Sequence, residues 1–321
     1  METLLIIGAG QLGSRHLQSL KKLSRDVSIQ VVEPSQGAIA RARQRYSELP
    51  DNPRIRQLQF LPSVGEVSGD IDLCIVATGA DVRFEVTRQL IDRGEVRNIL
   101  FEKVLFQRPE HYEAMKTLLA GRGMKAWVDC SRRYFPVYRE IQALITGGDA
   151  IEISVNGGRW GLACNAVHFL DLMVFFAGST SYRLRSELVD PQMIPAKREG
   201  FHEFQGVLEA VFTNTRRVIL SESRCSSAPY LVSIVTPEHY FALDEEKGRL
   251  TSASSAAHWA RIERDVSVPY QSEMTCHIAE SILEHGECSL PDYETSMETH
   301  LPLVSALLAL LGPGHETVPI T

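Results

Sequence analysis

The chain has 321 residues, which at ~150 residues per domain predicts two domains. Lys and Arg total 33 against 40 Asp and Glu, a formal net charge of -7, with 44% hydrophobic and 23% charged residues. That balance excludes nonspecific nucleic-acid binding, which needs a clustered basic surface, and a disordered chain, which carries less apolar material. No run approaches the ~20 apolar residues that span a bilayer. The best, Leu303 to Leu311, is short and contains Ser305. Neither nucleic acid nor membrane is therefore expected as a partner. Met1-Glu2-Thr3 lacks the basic start of a secretory leader. The six cysteines (Cys74, Cys130, Cys164, Cys225, Cys276, Cys288) are scattered, with no CxxC pair. These features predict a reducing cytoplasm, no dense disulfide framework and no metal site.

In chain order, Leu4–Ile7 is a continuous apolar run, as in a strand buried on both faces. The glycine-rich stretch Gly8-Ala9-Gly10-Gln11-Leu12-Gly13 follows, then a helix carrying Leu12, Leu17, Leu20 and Leu23. A strand over Val27–Val32 ends at Glu33, and Ala38–Tyr46 predicts a helix. Ile71–Ala77 predicts a strand closed by Thr78-Gly79, Phe84–Ile91 a helix, and Asn98–Phe101 a strand ending at Glu102-Lys103. Glu110–Leu119 predicts a helix and Ala126–Val128 a further strand. This alternation calls for a doubly wound parallel sheet in an α/β protein. After Asp129 the alternation ends. Pro136 opens a helical stretch to Gly147-Gly148, and strands over Ile151–Val155, Gly206–Phe212, Arg217–Glu222, Leu231–Val235 and Tyr240–Leu243 follow closely. Helices are expected near Asn165–Phe176, Gln271–His285 and Glu294–Leu311. The expected organisation is a Rossmann-type domain over residues 1–129, then an α/β domain over 130–321 with a large, mostly antiparallel open sheet.

The glycine stretch has the context that gives GxGxxG meaning: a strand before, a helix after, and an acid 20 positions beyond the last glycine. Gly8 permits a tight turn, Gly10 lets backbone approach a pyrophosphate, and Gly13 lets helix and strand pack closely. Gln11 and Leu12 then present helix N-terminal amides to the phosphates. Glu33 is placed to accept hydrogen bonds from ribose hydroxyls and to repel a 2′-phosphate, which favours NAD over NADP. Arg41, Arg43 and Arg45 lie close enough in sequence to count the other way. Thr78 and Gly79 end a strand at the ligand-facing edge of such a sheet, as do Glu102 and Lys103.

For chemistry, Lys103 is a candidate to polarise a substrate oxygen. His168 titrates near neutral pH and is a candidate to exchange a hydroxyl proton. Cys164, His168 and Asp171 share one helical face, with Asn165 beside them, and Asp171 is also a candidate cap for His168. Arg133 and Tyr134, in Arg132-Arg133-Tyr134-Phe135-Pro136, follow the last strand of the first domain and are candidate substrate contacts or a hinge. Trp160 is a candidate wall of the substrate site or a core residue. Arg132, Arg133 and Arg159 are the cations to meet an acidic substrate.

Taken together, these segments resemble the glucose-fructose oxidoreductase/inositol dehydrogenase (Gfo/Idh/MocA) family. The likeness runs from Gly8-Ala9-Gly10-Gln11-Leu12-Gly13-Ser14-Arg15-His16 through Ile75-Val76-Ala77-Thr78, Glu102-Lys103, Arg133-Tyr134-Phe135-Pro136 and His168-Phe169-Leu170-Asp171. The resemblance implies NAD(P)-dependent hydride transfer at a secondary alcohol or ketone, usually of a sugar or cyclitol. It implies Lys103 and His168 as catalytic residues and homodimers or homotetramers formed through the C-terminal sheet. The stretch Trp160–Asn165 is similar to members associated with bacterial surface sugars. Three departures stand out. Cys164 replaces an acid four residues before the histidine, Gly79 and Val104 replace prolines of the two strand-end turns, and Arg83 replaces a histidine. A thiol supplies no fixed negative charge to orient an imidazole. A nucleotide-binding sensor of the same fold, without redox chemistry, is therefore the alternative function.

Overall fold

The protein is described by a computed structural model covering residues 1–145, 150–213 and 215–321. It divides into two compact units: Met1–Ser131 with Pro269–Ser296, and Arg132–Val268 with Met297–Thr321.

In the first unit, strands and helices alternate: β1 (Glu2–Ile7), α1 (Gln11–Leu20), β2 (Val27–Val32), α2 (Gln36–Ser47), β3 (Ile55–Leu61), β4 (Leu73–Val76), α3 (Ala80–Arg93), β5 (Asn98–Phe101), α4 (Glu110–Gly121) and β6 (Lys125–Val128). The strands form one six-stranded sheet in the order β3-β2-β1-β4-β5-β6, with every pairing parallel. That is the Rossmann order. The inner strands β2 and β4 are buried along their whole length; β4 is an unbroken apolar run, as burial on both faces favours, while β2 also buries Ser28 and Gln30. Helix α7 (Gln271–His285) also belongs to this unit. It packs on α1, where the Cys276 N–H donates to Ser19 Oγ at 2.9 Å. No sequence pattern assigns this late helix to the early sheet, because the link is a packing contact between segments far apart in the chain.

The second unit contains α5 (Pro136–Leu144), β7 (Ile151–Gly158), α6 (Leu162–Ala177), β8 (Arg183–Pro195), β9 (His202–Thr213), β10 (Arg216–Ser223), β11 (Leu231–Val235), β12 (His239–Asp244), β13 (Arg249–Ser254) and β14 (Ile262–Asp265). The last long helix is α8 (Tyr293–Leu311). The eight strands form one sheet in the order β14-β13-β12-β11-β7-β10-β9-β8. Its pairings are antiparallel except β7 with β10, which is parallel. Helix α6 covers β9 and β10, burying Phe169, Leu172 and Met173. The expected end of the α5 stretch at Gly147-Gly148 lies outside the described residues. Among the described residues, no helix is long and apolar enough to cross a membrane.

Candidate functional site

The glycine loop joins β1 to α1 and has the geometry its three glycines require. Gly8 adopts φ +91°, a conformation that a side chain disfavours. A Cβ on Gly13 would lie 1.8 Å from the Gly8 carbonyl oxygen, so only glycine permits this helix–strand approach. A Cβ on Gly10 would meet nothing within 4 Å, which leaves open space where a ligand would approach the backbone. Gly10 caps α1 without a side-chain hydrogen bond, and the first turn carries no acid. The free amides of Gln11 and Leu12 and the positive end of the helix dipole thus fit an anionic group. The residues present fit a dinucleotide pyrophosphate.

Two side chains brace this loop in ways the sequence does not announce. Glu33 is buried, and its carboxylate accepts the Ala9 N–H at 2.7 Å and the Ser35 N–H at 2.9 Å. It therefore ties the glycine loop to the end of β2, a role beyond the ribose contact expected from its spacing. Each carboxylate oxygen keeps a further lone pair. Arg45 of α2 donates to Gln11 O at 2.7 Å, Gln11 Oε1 at 2.6 Å and Ser14 Oγ at 2.6 Å. Arg43 lies over the Phe60 ring at 4.4 Å.

At the ends of β4 and β5 stand Thr78-Gly79 and Glu102-Lys103. Behind Glu102 lies a buried polar cluster. His16 Nε2 is 2.9 Å from Glu102 Oε1 and 3.9 Å from Asp129 Oδ2. His16 Nδ1 is 2.9 Å from Thr275 Oγ1, which donates its own proton to Gln271 O at 3.1 Å. Thr275 Oγ1 is then the acceptor, so Nδ1 carries a proton. Burial opposes charge on His16, but the hydrogen bond and charge of Glu102, with the charge of Asp129, carry its pKa above the ordinary value. Burial likewise opposes ionisation of Glu102, yet His16, Lys103 and Arg83 hold its pKa below the usual carboxylate range. Asp129 differs. Burial, reinforced by the charge of Glu102, pushes its pKa up to about 7 against the pull of His16, Gln271 and Lys103.

His16, Glu102 and Asp129 offer one nitrogen and two oxygens within 4.8 Å of one another, the geometry of a metal-ligand set. We assign them no metal. His16 Nε2 is engaged with Glu102, and Arg83 and Lys103 already supply positive charge to the carboxylates. Of this cluster the sequence reading marks only Glu102 as a site residue. The one further hint is that Asp129 and Glu102 each follow an apolar strand directly.

In the second unit, Arg133 donates to both oxygens of the buried Asp171, at 2.8 and 2.6 Å. The Asp171 carboxylate, expected as a candidate cap for His168, takes the Arg133 guanidinium. It also commits Arg133, a candidate substrate contact, to a bidentate ion pair. Arg132 is committed likewise, to Glu245 at 2.8 and 2.6 Å, and Tyr138 and Tyr230 donate to the same carboxylate. Of the three cations marked for an acidic substrate, Arg159 is the exposed one. Tyr134 lies under the Arg139 guanidinium at 5.1 Å. Trp160 is buried, donates to Ser221 O at 2.9 Å and packs edge-on against Phe169. That is a core position.

Cys164, Asn165 and His168 all lie on α6. The Cys164 N–H points to the Glu203 carboxylate at 3.3 Å, and Ala163 N–H donates to it at 2.9 Å. Glu222 accepts from Gly161 N–H at 2.6 Å and Leu162 N–H at 2.8 Å. Two glutamates from β9 and β10 therefore cap this helix, although nothing in its local sequence signals a cap. Asn165 Nδ2 donates to Trp160 O and Gly161 O. His168 is half-buried one turn beyond Cys164.

Residues 3–130 match the family model GFO_IDH_MocA, described as an oxidoreductase family with an NAD-binding Rossmann fold. No curated protein matches the chain. Solved structures share the fold along nearly the whole length. An oxidoreductase from Agrobacterium radiobacter, in complex with NAD+, L-tartaric acid and magnesium, superposes with a TM-score of 0.72 at 14% identity, covering 98% of this chain and 97% of that one. UDP-N-acetylglucosamine 3-dehydrogenase GnnA from Acidithiobacillus ferrooxidans gives 0.67 at 15% identity, with 96% of each chain covered. The transcriptional regulator Gal80p from Kluyveromyces lactis gives 0.68 at 14% identity, covering 96% of this chain and 92% of that one. Residues 3–130, the stretch that carries the glycine loop, are thus similar to the Gfo/Idh/MocA oxidoreductase family with its NAD-binding Rossmann fold.

Proposed function

We propose that this protein is an NAD-dependent oxidoreductase acting on a secondary alcohol or ketone of a sugar, cyclitol or sugar-derived metabolite. The observation that carries the reading is the glycine loop, with Gly8 at positive φ, a Gly13 position closed to any side chain, and open space over Gly10. Gly8, Gly10, Gln11, Leu12 and Gly13 would hold the pyrophosphate, with Thr78, Gly79 and Glu102 completing the strand-end contacts. Glu33 would accept ribose hydroxyls through its remaining lone pairs, and its charge disfavours a 2′-phosphate. Arg45, the cation closest to the loop, is engaged with Gln11 and Ser14, which further favours NAD over NADP. When bound, the nicotinamide supplies the hydride acceptor or donor. Lys103 would polarise the substrate oxygen, and His168 would take or return the hydroxyl proton at its ring nitrogen. The dehydrogenase neighbour that acts on a nucleotide sugar supports the sugar class.

A second reading, a nucleotide-binding regulator without redox chemistry, is favoured by Cys164 in the acid's position and by the fold shared with a transcriptional regulator. The two separate in one experiment. NADH oxidation is followed with a panel of keto sugars for the wild type, Lys103→Ala and His168→Ala. The enzyme reading expects turnover in the wild type and a loss of at least ~100-fold in each variant. Tight NADH binding with no turnover on any sugar supports the regulator, and unchanged turnover in both variants removes the proposed chemistry.

A further inference from the structure

The departures at Gly79, Val104 and Arg83 from the resembled pattern meet at one side chain. The turns after β4 and β5 carry Gly79 and Val104 where the resembled family has proline, and α3 carries Arg83 where it has histidine. Arg83 is 1% exposed, the largest fully buried side chain described. Its Nη2 donates to Thr78 O at 2.5 Å. Its Nη1 donates to Leu105 O at 3.0 Å and to Val104 O. One guanidinium thus joins the backbone of the β4 turn to the backbone that follows Lys103.

A buried cation persists only where it is hydrogen-bonded and its charge is met. Here the carbonyls supply the hydrogen bonds, and Glu102 supplies the charge that Arg83 stabilises. The guanidinium is a planar fork with fixed donor directions, so bonds to both turns fix their separation. A proline would restrict each turn separately, by removing backbone freedom. We propose that Arg83 is a positioning residue that holds the Thr78-Gly79 turn and the Lys103-Val104 turn in register, replacing by cross-linking the stiffness that two prolines would give. Its consequence for nucleotide binding rests on the function proposed above, while its consequence for the two turns does not.

The test uses the full chain as wild type, Arg83→Ala, and Arg83→Ala combined with Gly79→Pro and Val104→Pro. Gly79 has φ -63° and ψ 155°, which proline adopts without strain. Amide hydrogen exchange is read at residues 78–80 and 103–107, and NADH affinity by fluorescence titration. Arg83→Ala is expected to speed exchange in both segments together and to weaken NADH binding about tenfold or more. The two prolines are expected to restore most of both losses, which simple loss of packing would not allow. The proposal is overturned if exchange in the two segments is unchanged in Arg83→Ala, whether or not the wild type binds NADH. It is overturned equally if the prolines restore nothing. Should Arg83→Ala fail to fold, the proline-containing variant is expected to fold, and its failure overturns the proposal as well. A wild type that binds no NADH, with coupled exchange intact, sinks the functional reading and leaves Arg83 as the cross-link.

Discussion

At Asp129 a carboxyl group lies 2% exposed, beside Glu102 and His16. The unfolded chain releases this proton near the ordinary value of 3.8, whereas the folded protein keeps it up to about 7. Between those values the folded state binds more protons, so stability falls as pH rises. His16, raised above 6.5, adds a loss of the same sign as pH rises through its folded pKa. Glu102 is lowered from 4.5, so its contribution is present above that value and lost as pH falls. Asp129→Asn removes the first of these effects. Thermal melts from pH 4 to pH 8 should show the wild type losing stability toward neutrality more steeply than the variant. The variant should be the more stable by about 1 kcal/mol or more at pH 8. Parallel curves would contradict this placement of Asp129. The cluster was not legible in the sequence, because His16 and Glu102 are 86 residues apart and only the fold makes them neighbours.

Helix α6 shows the same limit at the level of an element. Its N-terminus is satisfied from other strands, by Glu203 and Glu222, so local capping patterns are silent. Both carboxylates meet the positive end of the helix dipole. Glu222→Ala should therefore cost about 2 kcal/mol in denaturant unfolding, and a change below ~0.5 kcal/mol would show that water replaces the cap at no loss. Elsewhere, legibility followed burial. β1, β4 and β5 are buried over most of their length and read as apolar runs. β3 and β8 were missed because they are sheet-edge strands that mix charged and apolar residues. β14, also at an edge, is exposed at all four positions and carries no burial pattern to read. The glycine loop was legible because its chemistry is local. The partners of Arg83, Arg133 and Asp171 were not, because an ion pair or a carbonyl contact leaves no spacing rule.

For the whole molecule, the late helix α7 completes the early sheet. Its buried face carries Met274, Ile278 and Ile282, and it packs on α1. A fragment ending at Ser131 should expose the α1 surface and unfold at lower denaturant than the same fragment carrying residues 269–296 on a flexible linker. Equal midpoints would show that α7 is dispensable to that unit. The central claim is that this unit binds a dinucleotide of the NAD type through the glycine loop and Glu33. It is tested most directly by calorimetric titration of the full chain with NADH and NADPH, beside Glu33→Ala. The account predicts saturable NADH binding at one site per chain, at least ~10-fold weaker NADPH binding, and a narrowing of that preference in Glu33→Ala. Absence of binding by either nucleotide, or a wild-type preference for NADPH, would contradict it.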